Sequence, residues 1–492
     1  MMGDHLRTKA LLLKNSWGAV LAACLALLMG TDPSCAQDGR SAGAASGVQK
    51  PNIILIFADD LGAQQVGYES DFYETPNLDR LARQGMTFTR AYTAAAVCSP
   101  TRASLMTGEH PARLHTTNWI PGHPFPYARL QEPDWQEYLP LDEITIAEAL
   151  KEEGYRTAHL GKWHLSQAKT PPESRSHNPD KQGFDDTFVT YKPKPEVKRP
   201  WQTAEDDPHN IDTLTTRALQ FIEGNQDRPF YLQVSHNAVH EPLIEGERAI
   251  EEFQQKSGMK QLKNNPAIAA ILKRLDASTG RIMDKIGELG LKENTLFIFY
   301  SDNGGVPMFA RQTPYRKGKG WLYEGGVRVP LVVRWPGRVE EGSTSSAMVT
   351  STDFFPTFVR AAGGQLPQAD AIDGMNLIPE LTGRGSLGRE TLYWHYPHYH
   401  AFSSAQPSSA VRSGRYKLIE WFEESLTGSV RQVELYDLQE DPGERMDLSK
   451  KLPEKAEELQ KQLHEWRERV GAQMPTINPD YHHLDFGLPT AE

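Results

Sequence analysis

"NIILIFADDLG", residues 52–62, is the stretch on which the reading of the fold turns. Ile53 to Ala58 are apolar with no polar alternation, so the strand they form should be covered on both faces, as in a parallel sheet. The run then stops at two adjacent carboxylates, Asp59 and Asp60. The same pattern recurs in "YRTAHLGKWHL" (155–165), "PFYLQVSHNAVHEP" (229–242) and "TLFIFYSDNGG" (295–305), where polar groups follow an apolar or β-rich run. Between these runs lie helical patterns. The clearest is Ile268, Ile271, Leu272, Leu275, Ile282, Met283, Ile286 and Leu289, close to a 3.6-residue period.

Strands alternating with helices predict an α/β fold, a large mostly parallel sheet sandwiched by helices, with ligands outside the carboxyl ends of the strands. All four polar clusters fall at those ends. Beyond about residue 380 the texture changes. "SSAVRSGRYKLIEWFEE" (408–424) and "VRQVELYDL" (430–438) read as a hairpin or meander, and a helix opens at Pro453 with Leu459, Leu463, Trp466 and Val470 on one face. The expected organisation is a catalytic domain over 50–380 and a smaller C-terminal α+β subdomain over 381–492. Residues 166–210 and 253–265 are polar, Pro- or Lys-rich, and are expected to be loops around a site.

The N-terminus reads as a signal. Arg7, Lys9 and Lys14 precede the apolar run "WGAVLAACLALLMG", which is short for a membrane span. Ser34 and Ala36 supply small residues for cleavage after Ala36, giving a signal peptide over 1–36 and a flexible leader over 37–49. "LAAC" (21–24) also fits a lipoprotein box, so lipidation stays open. The expected location is periplasmic or secreted, with no membrane span. A net charge of −11 without a long basic run argues against nucleic acid or an anionic membrane as main partner.

Three cysteines occur in 492 residues, and two of them, Cys24 and Cys35, lie in the signal region. The third opens "CSPTRASLMTG" (98–108). Ser99 is a plausible N-cap, Pro100 suits the first helical position and Gly108 suits the C-terminal stop. Cys98 is thus expected at a helix N-terminus that favours an anion, with Arg102 one turn on facing back toward it. Taken alone, the stretch fits a buried structural cysteine equally well. Asp59, Asp60, Asp302 and Asn303 are all oxygen donors at strand ends and suit one hard divalent cation, whereas zinc would prefer nitrogen or sulfur. Lys162, His164, His240 and Lys319 lie on the same predicted edge and suit an oxyanion clamp.

At these residues the chain resembles the type I sulfatases of the alkaline-phosphatase-like superfamily. "CSPTRASLMTG" fits that family's C-x-P-x-R signature and "GYRTAHLGKWHL" its second signature, while "ADDLG", "SDNGG", "YEGGVRVP" and "LYDLQEDPGE" match further landmarks. The resemblance implies that Cys98 is oxidised to formylglycine by a modifying enzyme. It implies calcium, with magnesium as second choice, held by Asp59, Asp60, Asp302 and Asn303 together with the modified Cys98. Arg102 would hold the aldehyde hydrate. Lys162, His240 and Lys319 would clamp the sulfate, with His240 and Lys319 near the leaving oxygen, and His164 would assist elimination. Thr187, Thr190 and Tyr191 are candidates for a hydroxyl group near Lys162. A hydrate carries two hydroxyls, one to attack sulfur and one to expel sulfate afterwards by elimination.

The expected activity is hydrolysis of a sulfate ester, of a sulfated saccharide. Rivals are a phosphonate or phosphate ester hydrolase with the same nucleophile, and a non-catalytic sulfated-glycan-binding protein. The aromatic segment "YWHYPHYHAFSSAQPSSAVR" (393–412) and the loop "HTTNW" (115–119) nominate His395, His398 or Trp119 as sugar contacts, with interface packing of Trp394 and the tyrosines as the plain alternative.

Overall fold

The computed structural model describes residues 49–481 except 169–170, 172–173, 194–200, 204–205 and 429–431, so the expected signal peptide and almost all of the expected leader lie outside the described residues. Each of the four apolar runs becomes a strand of one eight-stranded sheet. Its strands are β1 (Asn52–Ala58), β2 (Met86–Phe88), β3 (Arg156–Gly161), β4 (Asp186–Val189), β5 (Phe230–Ser235), β6 (Thr295–Ser301), β7 (Leu331–Arg334) and β8 (Ser343–Ser345). They lie in the order β8-β2-β7-β6-β1-β5-β3-β4. β1 is central and parallel to both neighbours, with Ile53 opposite Tyr231 of β5 and Leu296 of β6. β3 and β4 continue the parallel half, while β7 runs antiparallel to β6 and β2.

The unbroken apolar run of β1 follows from its two covers. Ile54, Ile56 and Ala58 face a cluster with α2 (Ile211–Gly224) and α3 (Pro266–Glu288). Ile53, Leu55 and Phe57 face the opposite cluster with α1 (Cys98–Thr107) and α4 (Phe354–Ala361). Each such buried side chain contributes about 1.5–3 kcal/mol relative to exposure. In α3 the predicted periodic residues from Ile268 to Ile286 are all buried, and Leu289 lies just past the helix end. Asn265 caps its N-terminus by accepting from the N–H groups of Ala267 and Ile268, and Pro266 occupies its first turn.

The second sheet is an antiparallel meander of β9 (Thr391–Tyr396), β10 (Ser408–Ser413), β11 (Tyr416–Trp421) and β12 (Val433–Asp437). α5 (Pro453–Val470) covers one face with the expected Leu459, Leu463, Trp466 and Val470 against Val411, Leu418 and Leu435. The other face presents Trp394, Tyr396, Ile419 and Tyr436 to Tyr92, Val97, Tyr323 and Val327 of the larger sheet's loops. Residues 166–210 are not purely loop: Asp186–Val189 forms the edge strand β4, because a short β-prone run can pair with the otherwise open edge of β3. Among the described residues no helix is long and apolar enough to cross a membrane.

Candidate active site

The helix of the cysteine begins two residues earlier than its sequence suggests. Val97 is the cap residue, Cys98 is the first helical residue, and Ser99 is not a cap: its Oγ instead accepts from the Ile120 N–H at 3.1 Å. Pro100 therefore stands in the third position, where its missing N–H is still harmless. Gly108 ends the helix in the left-handed region at φ 77, and a Cβ there would come within 2.9 Å of Phe355. All ten residues of this helix are buried, Arg102 included.

Around Cys98 the strand ends converge as expected. Its Sγ lies 3.6 Å from Asp59 Oδ1 and 4.0 Å from Asp60 Oδ1. Asp60 takes a left-handed conformation, φ 61, and its N–H donates to Asp302 Oδ1 at 3.2 Å, which ties the end of β1 to that of β6. Lys162 Nζ stands 2.6 Å from Asp59 Oδ2, and Lys319 Nζ 2.7 Å from Asp60 Oδ1. Asn303 Nδ2 also donates to Asp60 Oδ1, at 2.8 Å. The Arg102 guanidinium is committed: its Nε and Nη2 donate to Asp302 Oδ2 at 2.9 and 2.7 Å, and Nη1 to the Lys162 carbonyl at 2.9 Å. The helix thus directs Arg102 onto a carboxylate rather than simply back at the cysteine.

Two histidines have their tautomers set by carbonyl groups, which only accept. His240 Nδ1–H donates to the Glu241 carbonyl at 2.7 Å, leaving Nε2 as a lone pair 3.8 Å from Asp60 Oδ2. His164 Nε2–H donates to the Ile120 carbonyl at 2.6 Å, and its buried Nδ1 has no partner. Burial and the nearby Lys319 push the His240 pKa down to about 3 against the pull of Asp60, so the ring is neutral in this setting. His164 is likewise held well below the ordinary imidazole range, by burial and then Lys162. Burial alone would raise Asp60, but Lys319, His240 and Lys162 hold it below the ordinary carboxylate range. Burial and Asp302 push the Cys98 thiol up to about 12. A thiol so placed is not a thiolate at neutral pH.

The donor set fits a cation. Asp60 Oδ2 and Asn303 Oδ1 are buried acceptors without a hydrogen-bond donor, a costly state that a cation relieves. Ligand atoms of Asp59, Asp60, Cys98 and His240 all lie within 4.8 Å of one another. This tight group differs from the all-oxygen set read from the sequence. It includes His240, which lies beside Asp60, and it leaves out Asp302, one oxygen of which is gripped by Arg102.

A cavity of about 570 Å³ opens onto Cys98, Asp60, His164, His240 and Lys319. Its outer wall is apolar and aromatic, with Trp119, Trp321, Phe402 and Met308. A smaller cavity, about 280 Å³, adjoins it across His164 and His240 and is lined by Lys162, Thr190 and Tyr191 among others.

The sequence model of the Sulfatase family matches residues 51–364, which hold every one of these polar groups. The chain belongs to the sulfatase family. A second family model, N-sulphoglucosamine sulphohydrolase, C-terminal, matches residues 317–473. Human arylsulfatase A is 34% identical over 452 residues, spanning 81% of this chain and 83% of its own. An N-acetylgalactosamine-6-O-sulfatase of Bacteroides thetaiotaomicron is 29% identical, spanning 89% of this chain and 96% of its own. The crystal structure of Ps i-CgsB, also solved in complex with k-i-k-neocarrahexaose, superposes with a TM-score of 0.70 at 28% identity and covers 88% of this chain and 95% of its own. The protein is a sulfuric ester hydrolase.

In this sulfatase the cysteine, the four oxygen donors and the four cationic or imidazole groups named from the sequence come together at one end of the sheet. Of the three hydroxyl candidates, Thr190 lies best: it is buried in the smaller cavity with Lys162 and accepts from Asn237 Nδ2 at 2.7 Å. Thr187 lines a separate groove with Arg217 at the sheet edge, and Tyr191 is exposed. His395 and His398 are not sugar contacts. Both are buried and engaged, His395 between Ser409 Oγ and the Gln473 carbonyl, His398 between Thr117 Oγ1 and Glu132. His395 faces α5 because β9 alternates Leu392, Trp394 and Tyr396 into the seam; beyond Pro397 the strand has ended, and His400 and Phe402 reach the cavity instead. Trp119 does line the cavity. Sequence reasoning missed Trp321 and Met308, whose segments carry no periodic signal.

Proposed function

We propose that this sulfatase removes sulfate from a sulfated saccharide, acting at a chain end, with a formylglycine made from Cys98 and a calcium ion. The observation that carries the reading is the cavity, which joins the Cys98 cluster to a wall of Trp119, Trp321 and Phe402. Aromatic faces of this kind stack on the C–H faces of sugars. Asp59, Asp60 and Asn303 would hold the cation together with residue 98, with Asp302 and His240 beside them. A divalent cation there supplies Lewis acidity that favours the deprotonated form of the attacking hydroxyl.

The chain's own residues divide the remaining work. Lys162 and Lys319, kept as ammonium ions by Asp59 and Asp60, neutralise the sulfate as it binds. Arg102 fixes Asp302 through its two-pronged contact and so orients the end of β6. Lys319, an ammonium on the cavity side, can give the leaving alcohol its proton, while neutral His240 presents the Nε2 lone pair beside it as an acceptor. His164 Nδ1, free because Nε2 is engaged, can accept the proton that the second hydroxyl of the hydrate loses when sulfate is expelled. The basic, apolar and small-residue order of the first 36 residues supports export to the periplasm or beyond.

Mass spectrometry of the tryptic peptide containing Cys98, metal analysis of the purified enzyme and a panel of sulfated mono- and disaccharides test this reading together. An aldehyde or hydrate at residue 98, about one calcium per chain and turnover of a sulfated sugar are expected. Active enzyme with an unmodified thiol, stoichiometric zinc, or faster cleavage of phosphonate than sulfate esters of one leaving group would each overturn the corresponding part.

A further inference from the structure

Lys317 has no task in the catalytic scheme, yet it lines the same cavity as Cys98. Its backbone sits in the left-handed region, φ 60, which few non-glycine residues adopt. Its ammonium lies 4.2 Å from the centre of the Trp321 ring. The other two lysines of the cavity are committed to carboxylates, Lys319 to Asp60 at 2.7 Å and Lys192 to Glu241 at 2.6 Å. The adjacent Arg316 is also engaged, donating to Tyr436 Oη and to the Glu444 carbonyl. Among the described residues Lys317 has the ring and no carboxylate. In a chain of net charge −11, counter-charges are plentiful, so a cation left over an aromatic face at the mouth of an anion-handling cavity is notable.

The Trp321 platform is rigid. Its Nε1–H donates to the Ser403 carbonyl at 3.0 Å, and its ring packs against Tyr323 and Trp421, each at a centroid distance of 6.0 Å. Such a preorganised surface loses little entropy on binding. The volume of about 570 Å³ falls in the range, roughly 300–1,000 Å³, of pockets that enclose ligands larger than a single sugar ring.

We infer that Lys317 and Trp321 form a subsite for a second anionic group, a carboxylate or a sulfate ester on the sugar next to the one that is desulfated. This rests on the saccharide reading above. It makes Lys317 a specificity-determining residue: the cation meets the anion, and the uncovered part of the cavity wall, Trp119 and Phe402, meets the apolar sugar faces. Substrates whose neighbouring sugar is neutral lose this contact and bind more weakly.

The test compares the wild type, Lys317→Gln and Lys317→Arg on 4-nitrophenyl sulfate and on three sulfated disaccharides whose second sugar is neutral, a uronate or itself sulfated. Lys317→Gln should raise KM about tenfold for the doubly anionic disaccharides, several times more than for the neutral-neighbour disaccharide or the aryl sulfate, and Lys317→Arg should restore most of it. The uronate and sulfate arms show which anion is preferred. An equal KM change on every substrate overturns the subsite. A second arm separates this inference from the saccharide reading: inhibition of 4-nitrophenyl sulfate hydrolysis by the anionic disaccharide lacking the scissile sulfate. If no saccharide is hydrolysed, the saccharide reading falls; inhibition about tenfold weaker in Lys317→Gln would still support the subsite, and equal or absent inhibition would overturn it.

Discussion

Two buried charge clusters lie close in the chain and behave differently. One surrounds Cys98. The other sits in the seam between the two sheets, where Lys417, fully buried, stands 3.1 Å from both Glu324 Oε1 and Glu444 Oε1. There Glu444 Oε1 lacks a well-aligned hydrogen-bond donor but has the Lys417 ammonium 3.1 Å away, and the other three carboxylate oxygens each have a donor at 3.2 Å or less. Glu324 Oε2 accepts from Tyr92 Oη and Arg328, and Glu444 Oε2 accepts from the Glu324 N–H at 2.7 Å. In the Cys98 cluster pairing stops short: Asp60 Oδ2 and Asn303 Oδ1 have no donor, and a cavity opens beside them. Burial of charge alone therefore does not mark function. What distinguishes the site is that its unpaired Asp60 carboxylate adjoins open space that a ligand can enter, whereas Lys417, Glu324 and Glu444 are fully buried. The seam also serves the site indirectly, because Glu324 ends the segment that carries Lys319.

The contrast is sharpest in what each cluster loses on mutation. Cys98→Ala should lower kcat/KM on any sulfate ester by about 10⁴-fold or more, while a thermal melt shows a stability change of about 1 kcal/mol. Retained turnover would break the functional half of the comparison. Lys417→Met should do the reverse, costing about 3–5 kcal/mol in urea denaturation because two buried carboxylates lose their shared cation. Adding Glu324→Gln to that variant should recover part of the loss. A Lys417→Met protein as stable as the wild type would show that the seam is not held by its charges.

A pH series refines the seam further. Burial, opposed by Lys417, pushes Glu444 up to about 7 from an ordinary 4.5. Between those values the folded state keeps a proton that the unfolded chain has lost, so stability falls as pH rises through the window. The melting temperature of the wild type should thus decline relative to Glu444→Gln from about pH 4.5 to about pH 7. Parallel curves would sink the assignment. The smallest effect belongs to the cavity rim. Phe402, 68% exposed, carries little stability, and Phe402→Ala should raise KM for a sulfated disaccharide about fivefold, the equivalent of roughly 1 kcal/mol of lost stacking. Unchanged saccharide kinetics would remove Phe402 from the substrate wall.

Much of this was legible before any coordinates. Uninterrupted runs such as Ile53–Ala58 and Leu296–Tyr300 announce doubly covered strands because sheet burial is written into local composition. The helix at Pro266–Glu288 is legible from its apolar period. The polar ends of those strands located the site. The aromatic segment around β9 was legible only as aromatic. Which rings face the seam and which face the cavity depends on where the strand begins and ends, and a one-residue change of phase exchanges the faces.

The sequence by itself determined strands β1, β3, β5 and β6 of the larger sheet, helices α1, α3 and α5, the residue types at the strand ends and the cysteine signature. Only the tertiary structure decided who pairs with whom. Arg102 meets Asp302 across 200 residues, Lys319 is delivered to Asp60 where the glycines at 304 and 325 let backbones touch, and His240 enters the group around Cys98 from the end of β5. The physical reason is range. Periodicity and capping act within a few residues, whereas these contacts are set by chain crossings and by the competition of several cations for a few buried carboxylates.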